Sequence, residues 1–564
     1  MIDVLSNDSN NTEKAPVRFL LIGVGPHAKR TYIPHLKGLE QEGRATLVAA
    51  VDVQENQDSI TEYQQKTFPN VELHFVPFFT TEMPTYVALK MSQLVKRLNV
   101  SFVIIATEPL AHTAYGLWAL AAGLNIIMDK PVSTRKNVCT SLDEAYGIAD
   151  DYNILFDAYL NLQRYKETCF LVNSHRRYHP GFQFTLQKIA DIKEKTGCPV
   201  TNINTTHCDG QWRMPTEIVD QRYHTYNMGY GKVSHSGYHF LDTVYQFMKA
   251  GFTEEKRPDQ IEVVSSFVQP NGFLMQLNTS DYQKLFGLDE YGKTCKYSDE
   301  ELKALYASFG EIDASIQVTF LREGEAIALA VINLQHNGFA RRHWLLPPSD
   351  LYKGNGRVKH ELHEIKSGPF QTLAINSKQA NDKHDRSKPS NAKLGSDNHF
   401  EIQVFRNCDM LDEAEPLRTF TVSDIDEEFR SKTPGLLSEN VKRGILEEAI
   451  DYTEGAKGLN DLRSNLADHS VPCHVMSAIY ISHIRRKAGF SPIVNVDLDY
   501  RNGKLTGVFF LYEMLIFAPG NIPQASIAKE QSSGSSTVSL TTIEPMLKGI
   551  EYNNMRGIEM IARR

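Results

Sequence analysis

The sequence predicts an α/β chain that opens on a doubly wound parallel sheet and continues into an α+β domain. Three observations predict it. Strand-like apolar runs alternate with helix-like stretches from Val17 to about Pro180. A glycine turn follows the first run, and an acidic residue stands at the end of the second. After Pro180 the order changes to a helix followed by strand patterns.

Residues 1–16, "MIDVLSNDSNNTEKAP", read as a disordered polar tail without the apolar core of a signal peptide. Phe19 to Val24 is the continuous apolar run of a strand buried on both faces. It leads into Gly23-x-Gly25-x-x-Ala28 and a helix-like segment, and a second strand, "ATLVAAVDV", reaches Asp52. Strand, glycine turn, helix, strand and acid in that order are the dinucleotide pattern of a Rossmann-type domain. Gly23 allows the turn, Gly25 lets a pyrophosphate approach the backbone, and Ala28 lets helix pack on strand. Asp52 is placed to bind the ribose hydroxyls, and its charge repels a 2′-phosphate, so NAD is expected before NADP. "NVSFVIIATEP" is a further buried strand, "AHTAYGLWALAAG" a helix closed by Gly123, and "LNIIMDKPVS" the next strand with its exit. A long helix, "TSLDEAYGIADDYNILFDAYLNLQRYKET", and a strand, "CFLVNSHRRYHP", complete a dinucleotide-binding domain over 17–180.

Composition narrows the function classes. Apolar content of 41% and charged content of 23% exclude a mostly disordered chain. A net charge of −8 gives no basic footprint for nucleic acid. No run of apolar residues is long enough for a membrane span. The seven cysteines are odd in number and contain no C-x-x-C, so neither a disulfide framework nor a thiolate zinc site is expected, and a reducing cytoplasm fits.

The stretch "HSGYHFLD" carries the chemistry-bearing pattern of the second domain. His235, His239 and Asp242 are spaced by four and three residues, which on an α-helix is one face. Two histidines and a carboxylate at that spacing could bind zinc, but H-S-G-Y-H lacks the zincin glutamate, and no metal is expected. Proton transfer and a structural pair are the other readings. Arg177 and Tyr178 in "RRYHP", with Trp212 and Arg213 in "DGQWRMP", are candidates for a substrate wall. Trp212 in a core and Arg177 in an interdomain ion pair are the alternatives. Asp242 is a candidate for substrate contact or for structural pairing.

The chain resembles the Gfo/Idh/MocA family of NAD(P)-dependent oxidoreductases. The residues that carry the resemblance are "GVGPHA", "IIATEPLAH", "MDKP", "RRYHP" and "GYGKVSHSGYHFLD", over roughly Val17 to Val268. The family usually has Glu-Lys-Pro where this chain has Asp129-Lys130-Pro131, and an aspartate where it has His235. The resemblance implies cofactor contacts from Gly23, Gly25, Pro26, His27, Ala28, Asp52, Thr107, Pro109, His112 and Lys130, with His112 at a helix start that suits capping or ribose contact. It implies Lys130 beside the nicotinamide and the reacting hydroxyl, His239 as acid/base, and His235 in place of the carboxylate that partners them. It also implies that the second domain carries a large open, mostly antiparallel sheet, with "EIDASIQVTFLREGEAIALAVINLQHNGF" as one strand pair. The resemblance further implies a homodimer or homotetramer formed by face-to-face stacking of this sheet.

The substrate and oligomerisation domain is expected over 181–518, with inserts near 282–309 and 345–398. The second insert reads as a mobile loop, because it holds "SKQANDKHDRSKPSNAKLGSD". Residues 519–564 read as a linker and tail helix. The function implied is oxidation or reduction of a hydroxyl/carbonyl in a sugar, cyclitol or related polyol. Two alternatives stay open: an NAD-dependent glycosidase or lyase that works by transient oxidation and elimination, and a non-catalytic nucleotide-binding sensor or scaffold.

Overall fold

The computed structural model describes residues 15–222, 224–336, 340–341, 358–380, 399–421, 424–425, 440–501 and 504–510. The expected linker and tail helix over 519–564, and most of the tail over 1–16, lie outside the described residues.

The first sheet has six parallel strands in the order β3-β2-β1-β4-β5-β6. They are β1 (Val17–Ile22), β2 (Ala45–Val53), β3 (Glu72–Val76), β4 (Phe102–Ile105), β5 (Asn125–Asp129) and β6 (Phe170–Asn173). Phe19, Leu20, Leu21 and Ile22 are all buried because helices cover both faces, which is why the strand reads as an unbroken apolar run. The strand order reverses between β1 and β4, and ligands bind outside the carboxyl ends of the strands at that point. The expected final strand "CFLVNSHRRYHP" is strand only over Phe170–Asn173; His175–Tyr178 is a 3-10 turn, which ends at Pro180 where the next helix begins.

The second sheet has ten strands, ordered β16-β15-β14-β13-β7-β11-β10-β9-β17-β18. In chain order these are β7 (Asn202–Cys208), β9 (Gln260–Val268), β10 (Asp313–Arg322), β11 (Glu325–Gln335), β13 (Val358–Ser367), β14 (Gln371–Ala380), β15 (His399–Arg406), β16 (Leu417–Thr421), β17 (Val494–Arg501) and β18 (Lys504–Phe510). A two-stranded pair, β8 (Gln211–Trp212) with β12 (Ala340–Arg341), stands apart. Pairing in the large sheet is antiparallel except between β7 and β11. The expected hairpin "EIDASIQVTFLREGEAIALAVINLQ" is β10–β11.

The expectation of a mobile loop across 345–398 does not hold for 358–380. Those residues are a full hairpin, β13–β14, next to the central strand β7. The sequence hides it because two of the inward positions of β13 are polar: Glu361 and His363 are buried beside Ile365. They are satisfied by Arg176, which donates to both Glu361 oxygens at 2.8 and 2.6 Å, and by Thr205.

The late chain returns to the first sheet. Ile445, Leu446, Ala449 and Ile450 of the Arg443–Thr453 helix join the core around Phe19 and Leu21. The Ser470–Lys487 helix packs on the Leu142–Gln163 helix, where Ser477 donates to the Ala145 carbonyl at 2.6 Å. Among the described residues no helix is long and apolar enough to cross a membrane.

Candidate active site

A cleft of about 430 Å³ opens at the carboxyl ends of β1 and β4 and runs toward the second domain. At its outer end lies the glycine turn. Gly23 has φ +92°, and a Cβ there would come within 2.6 Å of the Ala106 carbonyl oxygen, so strand and turn meet too closely for any side chain. Gly25 differs: a Cβ would meet nothing within 4 Å and would project into the cleft it lines. That open face is what a pyrophosphate against bare backbone requires. Gly23→Ala should therefore cost about 1–3 kcal/mol of stability in urea unfolding. Gly25→Val should leave stability intact but raise the NAD dissociation constant by about tenfold or more, a factor of ten being ~1.4 kcal/mol of lost contact. Pro26 and His27 line the cleft, while Ala28 is fully buried under the first helical turn.

Asp52 lines the same end and also braces the turn. Its Oδ2 accepts from the Val24 N–H at 2.7 Å, and its Oδ1 accepts from Val53 N–H and Asn56 Nδ2, both at 2.8 Å. These donors fix a carboxylate at the glycine-turn end of the cleft. Thr107 and Pro109 form the opposite lip. His112 is not at the surface of the cleft. It is fully buried, with Nδ1 2.9 Å from the Pro131 carbonyl and Nε2 3.2 Å from the Thr107 carbonyl, so it ties two cleft loops together.

The inner end is built on the β5 exit. Asp129 accepts from the Tyr32 hydroxyl at 2.5 Å and from Asn173 at 3.2 Å, and its other oxygen lies 3.4 Å from His27 Nε2. Burial opposes its ionisation, yet His27 and Tyr32 hold it below the usual carboxylate range. Lys130 follows, and its ammonium donates to the backbone carbonyl of His235. Burial pulls its pKa down to about 8, against the pull of Asp129 and with the help of Lys442 and Arg176.

His235 belongs to a π-helical turn, Val233–Gly237, ahead of the Tyr238–Gly251 α-helix. Glu311 anchors that turn. Its Oε1 accepts from the Val233 N–H at 2.6 Å and from Tyr480 at 3.1 Å, and its Oε2 accepts from the Cys139 thiol at 3.0 Å. The wide turn changes the phase of the helix, so the expected single face is not formed. His235 lines the cleft, stacked on His224 at 4.9 Å between ring centroids. His239 is not among the cleft-lining residues; its ring lies edge-on to His175 at 4.3 Å. Asp242 is fully buried and bound to Arg177 and Ser174.

The ring of His235 has the Thr225 backbone as a neighbour that favours its charged form. Its Nε2 is buried and has no hydrogen-bond partner among the described residues. Burial, then the charges of Lys130, Arg213 and Lys232, keep this ring well below the usual histidine range and hence neutral.

The expected substrate wall is not at the cleft. Arg177 spends its donors on Asp242 and on the carbonyls of Arg463 and Asp468. Tyr178 is buried, donating to Glu448 at 2.6 Å. Trp212 stacks on Tyr282 in a small apolar cluster, and Arg213 is buried against Asp209 and Gln221. Their polar groups are paired within the protein and do not line the cleft. Sequence reasoning missed Glu108, which accepts from the Tyr230 hydroxyl, and the rim residues Arg222 and His224. Glu108 stands inside "IIATEPLAH"; Arg222 and His224 follow no periodicity that would mark them.

A parallel doubly wound sheet with a bare glycine turn and a braced carboxylate at its switch point defines a dinucleotide-binding domain. Residues 17–150 match the model of an oxidoreductase family, GFO_IDH_MocA, with an NAD-binding Rossmann fold. No curated protein matches the sequence. Solved structures resemble the chain at low identity. The WlbA dehydrogenase from Chromobacterium violaceum, solved with NADH and UDP-GlcNAcA, is 13% identical with a TM-score of 0.51, covering 86% of this chain and 98% of its own. An NAD-binding oxidoreductase from Klebsiella pneumoniae is 17% identical with a TM-score of 0.49, covering 84% and 98%. The aldose-aldose oxidoreductase from Caulobacter crescentus, solved with glycerol, is 13% identical with a TM-score of 0.48, covering 86% and 100%.

Proposed function

We propose that this chain interconverts a hydroxyl and a carbonyl on a sugar, cyclitol or related polyol, with NAD in the cleft. The observation that carries the reading is Lys130: a half-buried ammonium lining the cleft and fixed on the backbone carbonyl of His235, a second cleft-lining residue. NAD, when bound, supplies the two-electron acceptor. Asp52, held by three donors, favours NAD over NADP because its charge opposes a 2′-phosphate.

The chain's own residues handle the oxygen and its proton. Neutral His235, which lines the cleft, hydrogen-bonds the substrate hydroxyl and orients it. Lys130 polarises that oxygen and exchanges its proton, since a group near pKa 8 is matched to acid/base work around neutrality. His239, to which the resemblance gives the acid/base role, is second in this reading because it is packed against His175 outside the cleft lining.

The sign of the pH dependence tests the assignment. Reduction needs the ammonium, so kcat/KM for a carbonyl substrate should fall above pH about 8; oxidation needs the free amine and should rise toward it. Lys130→Arg should lose this limb up to pH about 10, since guanidinium does not titrate there. Opposite limbs carried by His239 instead, unchanged in Lys130→Arg, would remove Lys130 from the proton path. The function itself is tested by denaturing the purified protein, identifying released nucleotide, and following absorbance at 340 nm against a sugar and cyclitol panel. Bound NAD with substrate-dependent NADH formation is expected; no nucleotide and no affinity for one would defeat the reading.

A further inference from the structure

A carboxyl and an ammonium line the inner end of the cleft without pairing. β4 and β5 are neighbours, with Ile105 opposite Met128, so Glu108 and Lys130 leave adjacent strand ends, and both line the cleft. No ion pair joins them. The Lys130 ammonium donates to the His235 carbonyl, and Glu108 Oε1 accepts from the Tyr230 hydroxyl. Those two anchors are themselves packed together, the Tyr230 ring edge-on to the His235 ring at 5.4 Å and 77°. Tyr230 is buried, so its phenol fixes where the Glu108 carboxyl stands.

Glu108 keeps one oxygen in reserve. The residue is half-buried, and its Oε2 accepts no hydrogen bond among the described residues yet is not closed off from solvent. The other cleft-lining carboxyls are engaged. Asp52 accepts three bonds at the glycine turn, and Asp129 is bound by Tyr32, Asn173 and His27. Burial raises the Glu108 carboxyl above its ordinary range, with the Tyr230 bond and the Lys130 charge opposing. In either form its open oxygen hydrogen-bonds a hydroxyl, and in the ionised form it only accepts. An ammonium and a carboxyl oxygen on neighbouring strand ends suit two hydroxyls on adjacent carbons. A lone alcohol would displace water from Glu108 without replacing its hydrogen bond.

We propose that Glu108 is a specificity-determining residue of this site and that the substrate is a vicinal diol, with Lys130 on the reacting oxygen and Glu108 Oε2 on the adjacent hydroxyl. Tyr230 holds Oε1 and so aims Oε2. This deepens the oxidoreductase reading above and rests on it.

The full-length protein is assayed with NAD at 340 nm on glucose and myo-inositol, and on 2-deoxyglucose, 3-deoxyglucose and the monodeoxy-inositols. Binding of the same panel to the NADH-saturated protein is followed by cofactor fluorescence. Loss of the hydroxyl beside the reacting carbon should weaken binding and lower kcat/KM by about 10–100-fold, the scale of a hydrogen bond to a charged group. Loss of a remote hydroxyl should cost far less. Glu108→Gln should shrink that ratio. Glu108→Leu with Tyr230→Phe, which removes the oxygen and its phenol together, should bring the ratio near one, with NADH affinity retained. Deoxy analogues handled as well as their parents, no diol of the panel bound, or a ratio unchanged in both variants would overturn the proposal. So would NADH affinity lost with the ratio intact, which would place Glu108 on the cofactor. Failure of the oxidoreductase reading looks different: no NADH binding, or diols that bind with no absorbance change.

Discussion

Lys130→Met should lower kcat by about 10²–10³-fold or more, the scale of removing a preorganised donor at a developing oxyanion. NAD affinity should stay within about threefold, since the parts that hold the cofactor, Gly25 and the braced Asp52, are at the other end of the cleft. Methionine keeps the length and apolar stem of lysine, so the substitution removes the ammonium and its bond to the His235 carbonyl with little change in packing. Stopped-flow binding and steady-state turnover on one preparation separate the two effects. Turnover within a few fold of the parent would leave Lys130 as a structural tie between β5 and the π-turn.

The parts of this site that were legible in the sequence are those whose geometry is local. Gly23, Gly25 and Lys130 stand at the ends of strands recognisable by their apolar runs, and the turn chemistry follows within a few residues. Asp52 is legible for the same reason, although its bracing of Val24 is not. What failed depended on residues far along the chain. The phase between His235 and His239 is set by a π-turn pinned by Glu311, 78 residues from the Val233 amide it accepts. No helical periodicity contains that information. Likewise, a buried arginine and a ligand-binding arginine look alike in sequence; only the distant partner tells them apart. The polar inward face of β13 defeated the apolar pattern that identified β10 and β11.

Asp242→Ala should destabilise the fold by about 3–5 kcal/mol, the cost of leaving a buried arginine unpaired. Asp242 is 0% exposed, and Arg177 donates to it at 2.6 Å from one nitrogen and at 3.1 and 3.2 Å from another. Arg177 also ties the carbonyls of Arg463 and Asp468, so this pair joins the Tyr238–Gly251 helix to the returning late chain. Burial opposes ionisation of Asp242, but Arg177 holds its carboxyl below the ordinary range. A carboxylate with a depressed folded pKa contributes stability that is fully present above its unfolded pKa of about 4 and is lost as pH falls through the folded value. The gap between parent and variant in urea unfolding should therefore be largest near neutrality and close as pH falls below about 4. A double replacement, Arg177→Met with Asp242→Leu, should recover much of the loss, because an apolar pair of similar volume carries no desolvation cost. NADH affinity of the folded fraction should be unchanged in all three variants. A stable Asp242→Ala protein that has lost only substrate affinity would instead return Asp242 to the substrate wall and place the reacting carbon nearer His239 than His235.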